Sequence, residues 1–359
     1  MKRRVFELAV AVALLCSWPS SHAAAKELDQ FTDRLRVLAY YAGDYRAIPG
    51  APSPAQVDAV LDARMNELLD ELLGDLNDSA PDSVEERDAF VRRVFQHRYL
   101  PELITPYEEW VKHEAPVPLY KVRDKGIYGH AVDYDDMRMT WYIELSPIIQ
   151  VGGVAMGIDK LGHYLAQGFQ YYEYYQQLDP RLTVEARAQA VRVYGHKQEY
   201  AQLGIATGGV YSYADLAANW SGMLFFLALF DDVALEGVTH ARLIAPDGHG
   251  YKRARAFHWA EWVSADWDEV QNPARTETKE LFDKVRQNFW RPTGAPGSTA
   301  PSVCETYRKD PRAFIGPYTQ TTRSRYALPE LADPVTYAAI DVQTICELRL
   351  ADTFRPQTR

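Results

Sequence analysis

Apolar residues three and four apart set the first strong pattern in the chain. Val57, Val60, Leu61, Met65, Leu68, Leu69, Leu72 and Leu73 follow Ser53-Pro54 and predict a long amphipathic helix. A second helix is predicted from about Val84 to Tyr99, with Phe90, Val91, Val94 and Phe95 on its inner face. Pro101, Pro106, Pro116 and Pro118 then break regular structure, and Arg138 to Leu145 reads as a short strand or hairpin arm. Helical period returns at Ile158 and runs to about Gln177. Thr183 suits the N-cap of a helix reaching Leu203, where Gly204 stops it. Ser212 caps a further helix to Phe230, and two more are expected near Arg253 to Val263 and Thr276 to Phe289. The class is therefore mainly α: an irregular helical bundle with at most a short β hairpin and a loop-rich C-terminal tail.

The N-terminus changes where this bundle is expected to work. Lys2-Arg3-Arg4, the apolar run Ala9 to Leu15 and Ala23-Ala24-Ala25 have the layout of a secretory signal over residues 1–25. Lipidation at Cys16 is disfavoured because Leu15 precedes it. The strongest later apolar run, Met223 to Phe230, is far shorter than the roughly 20 residues of a spanning helix. A periplasmic or secreted protein without a transmembrane segment is expected. Residues 26–290 form the helical domain, and 291–359 a linker, Arg291 to Ser302, followed by a C-terminal extension. Once the signal is removed, Cys304 and Cys346 are an even pair in a compartment that permits disulfides, so a bridge is expected to staple that extension.

Charge narrows the partners. The full chain carries a formal −10, and loss of three basic residues and one acidic one with the signal takes this to about −12. That balance argues against nucleic acid. A cell-envelope component or a small ligand remains as partner, and the oligomeric state is left open. The 23 tyrosines suit a carbohydrate platform, but semi-buried helical interfaces account for them more simply.

Candidate chemistry concentrates in residues 157–222. Asp159, Lys160 and His163 open one helix, His196 and Glu199 lie at i, i+3 near the end of the next, and Asp215 and Asn219 lie at i, i+4 on a third. On a straight helix Gln170 and Glu173 return to within about 40° of Asp159. Gly162, Gly168 and the run Tyr171-Tyr172-Glu173-Tyr174-Tyr175 argue that this face is packed rather than solvated. Asp159, His163 and Glu199 are the candidate catalytic residues, and Lys160, Asp215 and Asn219 the candidate ligand-binding ones. His163, His196 and Glu199 are the candidate metal set, for a divalent ion whose identity stays open. Each has a plainer explanation. His196 and Glu199 fit a solvated helix face, Asp159 and Asp215 fit helix caps, and Asn219, deep in an apolar helix, needs a partner in any case.

Other clusters are weaker. Asp133-Tyr134-Asp135-Asp136 lacks the glycine and spaced glutamate of a calcium loop. Asp247-Gly-His249-Gly and the pair His258 and Glu261 offer metal-type ligands that more often sit free on a surface. Zinc-peptidase, nucleophile-elbow, Walker and dinucleotide motifs are missing.

The order Asp159-Lys160-x-x-His163, then Glu199, then Asp215-x-x-x-Asn219-x-x-Gly222 resembles the signature shared by the VanZ-like family and the YfiM-type envelope proteins. The resemblance spans about 65 residues. It implies a compact helical site facing the cell envelope, with these side chains converging, and it carries no reaction. This chain departs from VanZ-like proteins, which span the membrane several times and are linked to glycopeptide resistance. Two functions follow as expectations. One is an exported envelope factor whose three-helix polar junction is a structural network or a ligand site. The other is a metal-dependent or acid/base hydrolase acting on an envelope or extracellular polymer or lipid.

Overall fold

The computed structural model describes residues 26–28, 53–96, 105–122, 147–205, 210–235, 237–268, 275–276, 278–290, 302–309 and 345–346. The signal segment, the acidic run at 133–136, the expected strand at 138–145 and nearly all of the linker lie outside them.

The first long helix, α1 (Pro54–Ser79), begins where Ser53 and Gln56 close a reciprocal capping box and Pro54 occupies the first turn. Its buried stripe, Val57, Leu61, Met65, Leu69, Leu72 and Leu76, repeats the sequence period. Two asparagines on α1 act as surrogate strand edges. Asn77 exchanges hydrogen bonds with both backbone groups of Tyr251, and Asn66 does the same with Phe257. Gly74 sits exposed inside this helix, and a Cβ there would meet nothing within 4 Å. Gly74→Ala is expected to raise stability by about 0.5–1 kcal/mol in a urea titration, because only the backbone entropy changes.

Helix α2 (Val84–Val94) follows, and then α3 (Pro106–His113), in a stretch where the prolines suggested a break. Pro106 opens that helix instead: Thr105 caps it and the proline takes a first-turn position that needs no N–H donor. α4 (Asp159–Gly162), a π turn (His163–Gln167) and α5 (Gly168–Gln177) run on as one rod. α6 (Val184–Gln198) is capped by Thr183 and ends in a second π turn (Glu199–Leu203). α7 (Tyr213–Leu227) starts at the expected Ser212 cap and ends three residues short of Phe230. It is buried nearly all round, which explains its apolar run as core rather than membrane. No helix among the described residues is long and apolar enough to cross a membrane. α8 (Lys279–Phe289) and the short α9 (Val303–Lys309) complete the helices.

Strands are short. β1 (Lys26–Leu28) and β2 (Tyr120–Val122) pair in parallel, β2 meets β3 (Ile148–Val151) at Tyr120 and Ile148, and β3 turns back into β4 (Val154–Gly157). The β3–β4 turn is Gly152-Gly153, both at positive φ, the two-residue hairpin signal that glycine permits. β5 (Val210–Tyr211) pairs with β10 (Arg275–Thr276), β6 (Val233–Leu235) with β7 (Val238–His240), and β8 (Ile244–Asp247) with β9 (Gly250–Arg253). The last hairpin explains Asp247-Gly-His249-Gly as a tight turn, with Gly248 at φ 62°. In place of the helix expected from Arg253 to Val263, Arg253 ends β9, residues 254–258 are irregular, and a single 3-10 turn, Trp259–Glu261, follows. Its apolar residues Phe257, Trp259 and Trp262 are buried with Tyr164, Phe225 and Trp267 in an aromatic core. The molecule is mainly α with short hairpins, and Cys304 and Cys346 are bonded, both buried.

Candidate functional site

The tightest crossing in the core places the site. Gly168 at the start of α5 lies against Gly222 of α7, and a Cβ on Gly222 would stand 1.9 Å from the Tyr164 carbonyl oxygen. Neither helix could approach the other this closely with a side chain at that point. The crossing sets Asp159, Lys160 and His163 beside Asp215 and Asn219 of α7.

The Lys160 ammonium bridges two carboxylates, at 2.8 Å from Asp159 Oδ2 and 2.6 Å from Asp215 Oδ1. His163 Nε2 is 3.3 Å from Asp215 Oδ2, and its Nδ1 is 3.0 Å from Asn219 Oδ1. The Asn219 amide in turn donates to the Tyr171 hydroxyl at 3.3 Å. That orientation makes His163 Nδ1 the donor, so a neutral His163 turns the lone pair of Nε2 toward a carboxylate oxygen. Two lone pairs at this distance repel, and either a proton or a metal cation must lie between them.

Burial is graded across the cluster. Lys160 and Asn219 are sealed at 1% exposure, whereas the side chains of Asp159, His163 and Asp215 retain 34%, 17% and 15%. Among the described residues, these three form the group of His, Cys, Asp or Glu whose ligand atoms converge, all within 4.8 Å of one another. Asp159 Oδ1 is buried and has no hydrogen-bond partner among the described residues. Burial would raise the Asp215 carboxyl, but the charges of His163 and Lys160 and the hydrogen bonds from Lys160 and Ser212 hold it below the usual carboxylate range. Asp215 is therefore more than a cap: Ser212 caps through the Asp215 N–H, while the carboxylate faces Lys160 and His163. Asp159 makes no side-chain cap either.

His196 and Glu199 do not join this group, which corrects the metal set expected from their spacing. The Tyr211 hydroxyl contacts His196 Nδ1, and the two rings stack at 5.7 Å. Glu199, sealed at the start of the second π turn, accepts the Ser212 N–H at 2.9 Å and lies against Gly204. It braces the start of α7 rather than lining an accessible face. His258 and Glu261 are also occupied separately, with Asp62 and Arg255.

Two residues enter the site that spacing did not indicate. A π turn inserts one residue, so every later position takes the angle of the one before it. Tyr171 thereby reaches Asn219, while Gln170 is exposed and Glu173 accepts from Gln96. The second is Glu108 of α3, whose carboxyl lies over Gly162, 2.1 Å from where a Cβ would be. In the sequence Pro106 reads as a break rather than a helix start, and nothing local aims Glu108 at α4. Burial first, then the Asp159 charge, pushes the Glu108 carboxyl up to about 8, against the pull of Lys112 and Lys160. The folded state therefore holds a proton that the unfolded chain has released above about pH 4.5, and stability falls as pH rises from there to about 8. Glu108→Gln should flatten that part of a stability–pH profile measured by urea denaturation.

Comparison of the chain with family models, curated proteins and solved structures returns no match.

Proposed function

We propose that Asp159, His163 and Asp215 hold a divalent cation in an exported, envelope-facing protein, and that the centre serves hydrolysis. The observation supporting this is the layering of the site. Three side chains with converging N and O ligand atoms stay partly exposed, while sealed Lys160 and Asn219 fix their rotamers from behind. One histidine and two carboxylates suit a borderline divalent ion such as zinc or manganese, and three protein ligands leave coordination open for water. A metal so held lowers the pKa of bound water and supplies hydroxide near neutral pH. The VanZ-like order of residues and the disulfide support an envelope setting.

One observation favours a second reading, a structural junction. Lys160 already neutralises one oxygen of each aspartate, which locks α4 onto α7 without any ligand. Elemental analysis after zinc loading and dialysis separates the two. The wild-type chain should retain one equivalent. His163→Ala and Asp159→Asn should lose it with unchanged far-ultraviolet circular dichroism, and Glu199→Ala should lower Tm while keeping the metal. A metal-free wild type, with Tm falling sharply in His163→Ala, would establish the structural junction instead.

A further inference from the structure

A cavity of ≈190 Å³ lies between α1 and the rod that carries His163, walled by Met65, Leu68, Leu69, Phe95, Leu165 and Phe225. We infer that it binds the apolar chain of a small anionic amphiphile, with the carboxylate or phosphate head at Arg64. This does not rest on the cation reading.

Three features define the ligand. Between Arg64 and Glu71 the described walls are apolar, and the buried Tyr107 hydroxyl is occupied: it donates to the Leu61 carbonyl and accepts from Trp259 Nε1, both at 2.8 Å. A dry apolar cavity of about 150 Å³ accepts benzene, so this one suits an aromatic ring with a short tail or a chain of about six to eight carbons. Charge then sets the direction. Arg64 and Glu71 both border the cavity and lie two turns apart on α1, about 10 Å along the axis. An anionic head is drawn to the Arg64 end. Arg64 lies over the Trp110 ring, 6.0 Å from its centroid, and pairs with Glu67 at 3.1 Å; Glu67 is 63% exposed, so a ligand anion can displace this surface pair at little cost. Leu165 lies two residues beyond His163 in the same π turn, so an occupied cavity packs against that turn.

Calorimetric titration of the full chain in EDTA with octanoate, octyl phosphate and octanol tests this. Saturable one-to-one binding is expected, with a rise in Tm that depends on chain length from hexanoate to decanoate. The tighter of the two anions identifies the head group. Arg64→Gln should weaken the anions about tenfold and leave octanol unchanged. Leu68→Trp, filling the cavity from its half-buried edge, should abolish all three. Absence of saturable binding to the wild type, or equal binding to a folded Leu68→Trp protein, would overturn the inference. If Leu68→Trp does not fold, an equal effect of Arg64→Gln on octanol and octanoate overturns it. Retention of binding in His163→Ala shows that it stands apart from the cation site.

Discussion

Asp215→Ala is expected to destabilise the protein by about 3–5 kcal/mol, measured as the shift in a urea unfolding curve. The Lys160 ammonium is sealed at 1% exposure, and Asp215 is its nearer carboxylate at 2.6 Å. Without it, the buried charge loses its shorter described carboxylate contact, and the remaining one, Asp159, has a side chain that is one-third exposed. His163 simultaneously loses its Oδ2 partner. The double variant Lys160→Met/Asp215→Leu should recover most of the loss, because it removes both members of the buried pair and leaves only the partly exposed Asp159 without its cation. It should nevertheless bind no zinc. Recovered stability without recovered metal separates what the pair does for the fold from what Asp215 does at the site. If the double variant is as unstable as the single one, the ion pair is not the source of the loss.

Gly222→Ala should cost about 3 kcal/mol or more, with much the same from Gly168→Ala. A methyl at 222 would lie 1.9 Å from the Tyr164 carbonyl oxygen and 2.9 Å from the Gly168 Cα. Both are backbone atoms, and no rotamer can move them away. Relief requires the helices to separate, which would also draw His163 from Asn219 and Asp215. Loss of stability and loss of zinc binding should therefore appear together in this variant. A mild effect in the unfolding curve would show that the crossing is looser than its geometry indicates.

Much of the secondary structure was legible because local rules were sufficient for it. Ser53, Thr183 and Ser212 mark helix starts through their own side chains, and the stripe on α1 follows from spacing alone. The π turns were not legible, since no residue type encodes an inserted position; the first lies where the rod packs against α7 at Gly222. The segment around Phe257 shows the same limit. A helix was expected there, yet Asn66 on α1, nearly 200 positions away, takes both backbone groups of Phe257.

By itself, the sequence determined a mainly α chain, its principal helix caps, the cysteine pair and the polar residues in need of partners. Only the tertiary structure decided who the partners are. It divided the expected constellation into a cluster of Asp159, Lys160, His163, Asp215 and Asn219 and a separate brace of His196 and Glu199. It also added Glu108 and Tyr171. The physical reason is that a side chain's role depends on the distance and burial of groups on other elements. Those quantities were set by the Gly168–Gly222 crossing and by one inserted residue in the helix of His163.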